Sequence, residues 1–546
     1  MSAFSILERQ SALQRAAERV VDVVIVGAGI TGTGVAREAA LAGYDVLLVD
    51  KGDLASGTSS RSSKLIHGGV RYLEQGDVAL VREAARERAV LRTIAPHLAR
   101  PVRMLIPTAS RRGRLKLAAG LWTFDRLAAG ANEEPHEILD ESDVLGAEKG
   151  LRRDRVSGGV AFTEYVTDDA RLTLETAKSA AAAGASVATY AEVAAVENNG
   201  SGLRVVVEDH LGRAQLVVRT KSLVNAAGPW FDRVRGLHES GVPPLLQLTR
   251  GIHLVFRRDR LPVTHLVVLR APDGRSVFIV PRGDYAYVGT TDTMYDGVPD
   301  EPGVSNDDAC YLLESMHAAL EDPPRADDVV GTWSGVRPLL AQSGKSPSEI
   351  SRRDEIRVGP GPIVSIAGGK LTTYRRMAER VIARLADILG QPPAVKVDSA
   401  LLPLAGGDLS EQRRARNEAP RLGDALLEQR LWETYGIEAA GIVQRIHDES
   451  SSAEPVGGIA HLTVAELEHA VDRELVATLD DLLRRRSGVA MFDIEAAVAG
   501  APAVARRLGA RLGWSSARER EEVECSSRDR IAELATVKSS AARAAG

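Results

Sequence analysis

Gly27-Ala-Gly29-Ile-Thr-Gly32 is a GxGxxG turn, and the chemistry it suits is the cradling of a pyrophosphate. In such a turn Gly27 makes the bend, Gly29 lets an anion approach the backbone, and Gly32 lets a helix pack closely on a strand. The following helix N-terminus offers free N–H groups and partial positive charge to the phosphates. Asp50, about 20 residues on, is placed to accept from ribose hydroxyls. A second stretch, Gly57-Thr-Ser-Ser-Arg-Ser-Ser-Lys64-Leu-Ile-His-Gly-Gly69, is rich in hydroxyls and glycine and can wrap a large bound cofactor. A third, Gly368-Gly-Lys370, ends an apolar segment late in the chain.

The surrounding elements decide how much these motifs mean. Val21 to Val26 is β-branched and apolar, a buried parallel strand by pattern. Ile30 to Leu41 reads as a helix that Gly43 ends, and Val46 to Val49 as a second buried strand closed by Asp50. That is one complete βαβ unit, in which a glycine turn carries far more information than it does alone. An NAD enzyme would continue with another βα repeat. Here the second strand runs into the hydroxyl-rich loop, which favours FAD, held throughout turnover.

Further on, a charged helix carries Val81, Ala84, Ala85, Val90 and Leu91 on its apolar side, and Ala170 to Ala183 is helical. Short β-rich runs follow at Ile252 to Phe256, Leu266 to Leu269, Val277 to Pro281 and Tyr285 to Gly289, a pattern that suits an antiparallel sheet. Ile363 to Ile366 returns as a strand into Gly368, and Tyr374 to Leu389 is helical. After Pro392-Pro393 strand alternation stops. Thr463-Val-Ala-Glu466 is a capping box opening a helix with Leu467, Val471, Leu475, Leu479 and Leu482 near one face. The Ser-, Arg- and Ala-rich tail of about 25 residues is expected to fray. The expected class is therefore α/β and α+β. A Rossmann-type FAD-binding domain takes residues 20–110, 150–240 and 345–390. An antiparallel-sheet substrate domain takes 111–149 and 241–344, and a C-terminal α-helical domain takes 391–546.

Composition excludes several classes. A net charge of −5 argues against bulk nucleic-acid binding. The two cysteines, Cys310 and Cys525, lie far apart and outside any CxxC, so no cysteine-based metal site is expected. No apolar run approaches the roughly 20 residues of a spanning helix, and the charged N-terminus is unlike a signal peptide.

At Thr58-Ser-Ser-Arg-Ser-Ser-Lys-Leu-Ile-His-Gly-Gly-Val-Arg-Tyr-Leu73 the chain resembles the FAD-dependent glycerol-3-phosphate dehydrogenases, within the D-amino-acid-oxidase-like flavoproteins. Val224-Asn-Ala-Ala-Gly-Pro-Trp230, Gly289-Thr-Thr-Asp292, Trp333-Ser-Gly-Val-Arg-Pro-Leu339 and Gly368-Gly-Lys-Leu-Thr-Thr-Tyr374 match in the same order. Neither a C-terminal cysteine cluster nor an EF-hand is found, which points to the single-chain respiratory type.

The resemblance implies oxidation of glycerol 3-phosphate to dihydroxyacetone phosphate, with non-covalent FAD and a membrane quinone as acceptor. An oxygen-using oxidase is the alternative, and a flavin amino-acid or amine oxidase a more distant one. It implies cofactor contacts from Gly27, Gly29, Gly32, Asp50, Thr58, Ser59, Ser62, Ser63, Lys64, Ala227, Gly228, Gly369, Lys370, Leu371 and Thr372. It places Arg71, Tyr72, Arg337, Arg352 and Lys370 around the substrate phosphate, with Thr290, Thr291 and Asp292 shaping the pocket. Arg337 joins the catalytic set with the two candidate bases, His67, which is preferred, and His253. The expected location is the cytoplasm, peripheral on the inner face of the membrane, with room for a homodimer. Arg111, Arg112, Arg114 and Lys116, leading into Leu117, Leu121, Trp122, Phe124 and Leu127, are the candidate segment for an anionic membrane surface.

Overall fold

The computed structural model describes residues 4–67, 78–128, 135–200, 202–239, 241–341, 354–395 and 397–539. The strand Val20–Val26 lies between Ala214–Asn225 and Val46–Val49, all parallel, as βαβ connection demands. Ile363–Ala367 and Ser186–Ala188 extend this parallel core on either side. Leu203–Asp209, Ala191–Asn198 and Glu355–Val358 add antiparallel strands, giving an eight-stranded sheet. Val23, Ile25, Val46 and Leu48 face the helices Ile30–Leu41, Asp169–Ala182 and Tyr374–Leu389 in one apolar cluster. Val24, Val26, Leu47 and Val49 pack on the opposite side, so both faces of the parallel strands are covered.

A second sheet of ten strands is built around Leu246–Arg257, which pairs with Val329–Leu340 and Tyr285–Gly289. It is antiparallel apart from Leu266–Arg270 against Arg100–Pro107. Leu65–Ile66, Arg100–Pro107 and Gly159–Val166 belong to this sheet, not to the first. The expected division by sequence interval therefore does not follow the sheets. The chain leaves the dinucleotide layer at the hydroxyl-rich loop, builds one edge of the second sheet, and returns through the helix Asp169–Ala182.

Two expectations for the C-terminal region need correction. The capping box of Thr463 and Glu466 is present, but its helix ends at Arg473. Leu475 takes a left-handed φ of 56°, and Asp481 accepts from the N–H groups of Ala477 and Thr478, opening a separate wide turn over Asp481–Arg486. Leu482 is buried from that second element and Leu475 and Leu479 from the segment leading into it, not from one continuous helix. As far as Ser539, the last described residue, the tail does not fray either: Ser516–Ser539 is a helix. Leu534 and Val537 enter the core of the second sheet, while Arg530 pairs with Asp480.

The helix Arg111–Ala128 packs on the second sheet through Ala118 and the fully buried Leu121. Arg111, Arg112 and Lys116 are exposed, as are Leu115 and Trp122, the indole lying 4.6 Å from Arg126. Arg114 is turned inward, donating to the Leu139 carbonyl at 3.0 Å, so it is not part of that outer face. The side chains of Phe124 and Leu127 lie outside those described. Among the described residues, no helix is long and apolar enough to cross a membrane.

Candidate active site

The turn after Val20–Val26 has the geometry a pyrophosphate requires. Gly27 adopts φ of 104°, and a Cβ there would stand 2.6 Å from the Ala226 carbonyl oxygen. A Cβ on Gly32 would collide with the Gly27 carbonyl, which is the close helix–strand packing expected of the third glycine. The helix Ile30–Leu41 has no side-chain cap at Gly29, leaving its N-terminus to the pocket. Asp50 accepts from the N–H groups of Ala28 (2.6 Å) and Gly52 (2.9 Å), which ties the turn to the end of the second strand. Burial pushes its carboxyl up, and those two N–H bonds oppose the shift.

One pocket runs over this turn. Gly27, Gly29, Asp50, Thr58, Ser59, Ser62, Ala227, Gly228, Gly369, Lys370 and Leu371 all line it, bringing together residues from three distant parts of the sequence. Thr58 donates to the Val336 carbonyl at 2.6 Å and Ser59 Oγ accepts from the Ile30 N–H at 2.9 Å, so the loop is pinned from both sides. The glycine cradle, the first turn of the helix at Ile30 and Thr31, and the loop together fit an extended dinucleotide such as FAD.

Four of the expected cofactor residues stand behind the pocket wall. Gly32 and the buried Thr372 pack elements together, and Ser63 bonds His253 Nε2 at 2.9 Å. Lys64 is buried, with Nζ donating to the Ser60 carbonyl at 2.9 Å and pairing with Asp169 at 2.6 Å. A buried ammonium needs a fixed partner, and Asp169 supplies it, so Lys64 holds the loop in shape without lining the pocket. Lys51, Glu192, Val193, Trp230 and Arg233 line it although they were not expected. Trp230 lies inside a quoted motif. Glu192 and Val193 carry no motif and arrive only because the chain crosses the end of the second strand at Asp50, where the Ala191 N–H donates to the Asp50 carbonyl at 2.7 Å.

One face of the second sheet looks onto the same loop. Trp333 Nε1 donates to the Ser62 carbonyl at 3.2 Å and the Tyr287 hydroxyl to the Ser63 carbonyl at 2.9 Å. His253 stacks on Trp333 with centroids 4.5 Å apart. Its pKa is held well below the ordinary imidazole value, first by burial and then by Arg337 and Lys64, so the ring is neutral. Along the same face Arg337 lies over Gly251, where a Cβ would stand 2.6 Å from Nη1. Its Nη2 donates to Thr290 Oγ1 at 2.9 Å and Nη1 faces Asp292 at 3.3 Å. Its neighbour Pro338 lines the pocket. His67 is half-buried at the end of Leu65–Ile66. Arg71, Tyr72 and Arg352 lie outside the described residues.

Comparison with known proteins agrees with this geometry. Residues 22–375 match the family model for FAD dependent oxidoreductases, and residues 398–519 match the C-terminal domain of alpha-glycerophosphate oxidase. The chain is 35% identical to the aerobic glycerol-3-phosphate dehydrogenase of Bacillus subtilis, covering 95% of this chain and 96% of that one. The Staphylococcus epidermidis protein of the same name is also 35% identical, with the same coverage. The solved glycerol-3-phosphate dehydrogenase of Bacillus halodurans, complexed with FAD, superposes with a TM-score of 0.81 at 32% identity over 98% of both chains. The L-alpha-glycerophosphate oxidase of Mycoplasma pneumoniae shares the fold over 70% of this chain and 98% of its own, with a TM-score of 0.55 at 18% identity.

Proposed function

The chain belongs to the FAD-dependent glycerol-3-phosphate dehydrogenases, and from that premise we propose that it oxidises sn-glycerol 3-phosphate to dihydroxyacetone phosphate and passes the electrons to a membrane quinone. FAD, bound over the glycine turn, supplies the hydride acceptor. Gly27, Gly29, the N-terminus of Ile30–Leu41, Thr58, Ser59 and Leu371 would hold it.

The observation that carries the substrate is Arg337, a partly exposed guanidinium oriented by Thr290 and Asp292 on the sheet face that meets the loop. Lys370 lines the adjoining pocket. A planar fork and a compact charge are complementary donors to a phosphate dianion. A flavin amino-acid oxidase binds a carboxylate and needs less positive charge. In this reading Arg71, Tyr72 and Arg352 complete the anion site, as the resemblance implies.

A base must be unprotonated before it accepts the hydroxyl proton. His67 is our preferred base, on the specificity of its motif. His253, on the same sheet face as Arg337 and bonded to Ser63, is the second candidate, and its lowered pKa makes it a weaker proton acceptor than an ordinary histidine. Single-turnover flavin reduction in His67→Gln and His253→Gln separates them, the true base giving the larger loss and an altered pH profile.

The quinone reading draws on the exposed Arg111, Arg112, Leu115, Lys116 and Trp122 of one helix, which suit reversible contact with anionic lipid on the inner face of the membrane. If electrons pass to oxygen instead, peroxide forms in proportion to substrate consumed. The test of the substrate is steady-state reduction of a soluble dye. Glycerol 3-phosphate should support it, while glycerol and D-alanine should not. Comparable turnover of either would overturn the reading.

A further inference from the structure

The end of the pocket beside Asp50 is closed by residues that share one partner. Lys51 and Trp230 both line the pocket, and Lys51 Nζ lies 4.3 Å from the indole centroid. The indole rests on the backbone of the hydroxyl-rich loop: a Cβ on Gly57 would stand 2.8 Å from Trp230 Cζ3. Neither residue is held there by its own sheet alone. Asp300, from the turn that follows Thr293–Met294 of the second sheet, ion-pairs with Lys51 through Oδ1. Its Oδ2 accepts from the indole N–H at 2.9 Å. The Asp300 carbonyl also accepts from Arg61 of the hydroxyl-rich loop at 3.4 Å.

The turn that presents Asp300 is braced at its base. The Tyr295 hydroxyl donates to the Val298 carbonyl at 2.8 Å. Arg250 donates to the Pro302 carbonyl at 3.2 Å while pairing with Asp308 at 2.7 Å. One carboxylate therefore bridges two pocket-lining side chains from across the layer boundary. An isolated ion pair this exposed contributes little. Here the same carboxylate makes a charge-assisted bond to an indole and fixes a cation over that indole's face, so three weak contacts act together.

We propose that Asp300 is a positioning residue for the dinucleotide, acting as a clasp that holds Lys51 and Trp230 over the Asp50 end of the pocket and slows release of FAD. The proposal rests on FAD occupying this pocket, but not on the identity of the substrate. It assigns to the second sheet a part in retaining the cofactor as well as in facing the substrate. Because 43% of the Asp300 side chain is exposed, the clasp is screened by salt.

The test is the rate of FAD release from purified holoenzyme, followed by the rise in flavin fluorescence on trapping, with no glycerol 3-phosphate present. Asp300→Ala should release FAD about 10-fold faster than wild type. Wild-type release should quicken as salt is raised to roughly 0.5 M, and Asp300→Ala should lose most of that dependence. Trp230→Phe, which keeps an aromatic ring but removes the N–H, should speed release by about 3-fold alone and add little in the Asp300→Ala background. Should Asp300→Ala fail to fold, Asp300→Asn, which keeps the shape and loses the charge, should still lose the salt dependence. Release from the Asp300 variants within two-fold of wild type, with unchanged salt dependence, overturns the clasp. Purified protein that carries no flavin would instead overturn the cofactor reading.

Discussion

One helix, Asp169–Ala182, meets two very different surroundings, one at its first residue and one along the face that carries Arg171, Glu175 and Lys178. At its N-terminal end Asp169 accepts from the Ser62 N–H (3.0 Å) and hydroxyl (2.7 Å) and pairs with Lys64 (2.6 Å). The two buried charges there, Asp169 and Lys64, each have a fixed partner, and together they hold the loop over the pocket. Further along, Arg171, Glu175 and Lys178 face the C-terminal domain. Arg171 pairs with Glu474 and Lys178 with Glu438, while His469 lies 3.4 Å from Glu438 and 3.5 Å from Glu474. Three carboxylates thus meet three permanent cations, Arg171, Lys178 and Arg486, the last 3.8 Å from Glu474, and one histidine. Among the described residues the Glu175 carboxyl has no hydrogen-bond partner, Arg171 lying 3.7 Å away, and burial, opposed by Lys178 and reinforced by Glu438, pushes it up to about 8. The first contact has a fixed charge balance beside the pocket, whereas the second, against the C-terminal helices, includes a carboxyl that can gain or lose a proton.

The largest effect should come from breaking the matched contact. Asp169→Asn leaves the Lys64 ammonium buried without its counter-charge, which costs about 3–5 kcal/mol. Urea unfolding should show that loss, and purified protein should carry less FAD. A variant with wild-type stability and full flavin would remove the contrast between the two contacts.

At the site itself, Arg337→Ala should lower kcat/KM for glycerol 3-phosphate by roughly 10²-fold, since a charge-assisted bond to a desolvated dianion is worth about 2–3 kcal/mol. Lys370→Ala should have a similar effect. FAD content should survive in Arg337→Ala, because its guanidinium is held by Thr290 and Asp292 away from the glycine turn. Near-wild-type kinetics would show that this face does not bind the phosphate.

The second contact should respond to pH. The unfolded chain ionises Glu175 near 4.5, whereas the folded chain keeps it protonated up to about 8. Stability is therefore undiminished below pH 4.5 and falls as pH rises through that window. His469, raised by Glu438 and Glu474 against the opposing effect of burial, gives the same sign at higher pH. Glu175→Gln should lie within about 1 kcal/mol of wild type at pH 5 and exceed it by about 4 kcal/mol at pH 8 in denaturant titrations. A gain of equal size at both values would assign the effect to packing.

The smallest effect concerns the outer helix. Arg111→Ser with Arg112→Ser should weaken co-sedimentation with anionic vesicles at low salt by roughly 30-fold, each surface cation being worth about 1 kcal/mol. Dye reduction should be unchanged. Wild-type protein that ignores such vesicles would favour oxygen over quinone.

Much of the pocket was legible because its signals are local. The strand, glycine turn and helix around Gly27 lie within about 20 residues, and each step of the pattern has one physical reason. The hydroxyl-rich loop and Gly368-Gly-Lys370 were legible as motifs. What escaped depends on where the chain goes between motifs. Lys64 looks like a pocket lysine until Asp169, 105 positions away, is seen to pair with it. Glu192 reaches the pocket only through strand crossing. Asp300 sits in a turn whose sequence resembles any polar turn. The heptad-like leucines after Thr463 suggested one helix, because Leu475 gives no sign in one dimension that Asp481 will cap a new turn beside it.

The central claim is that a glycerol phosphate is oxidised at a flavin in this pocket, and anaerobic titration of the oxidised holoenzyme tests it most directly. Addition of glycerol 3-phosphate should bleach the flavin absorbance in a single turnover and yield one equivalent of dihydroxyacetone phosphate, while glycine and D-alanine leave the spectrum unchanged. Bleaching by the amino acids, or an unchanged spectrum with glycerol 3-phosphate, would contradict the account.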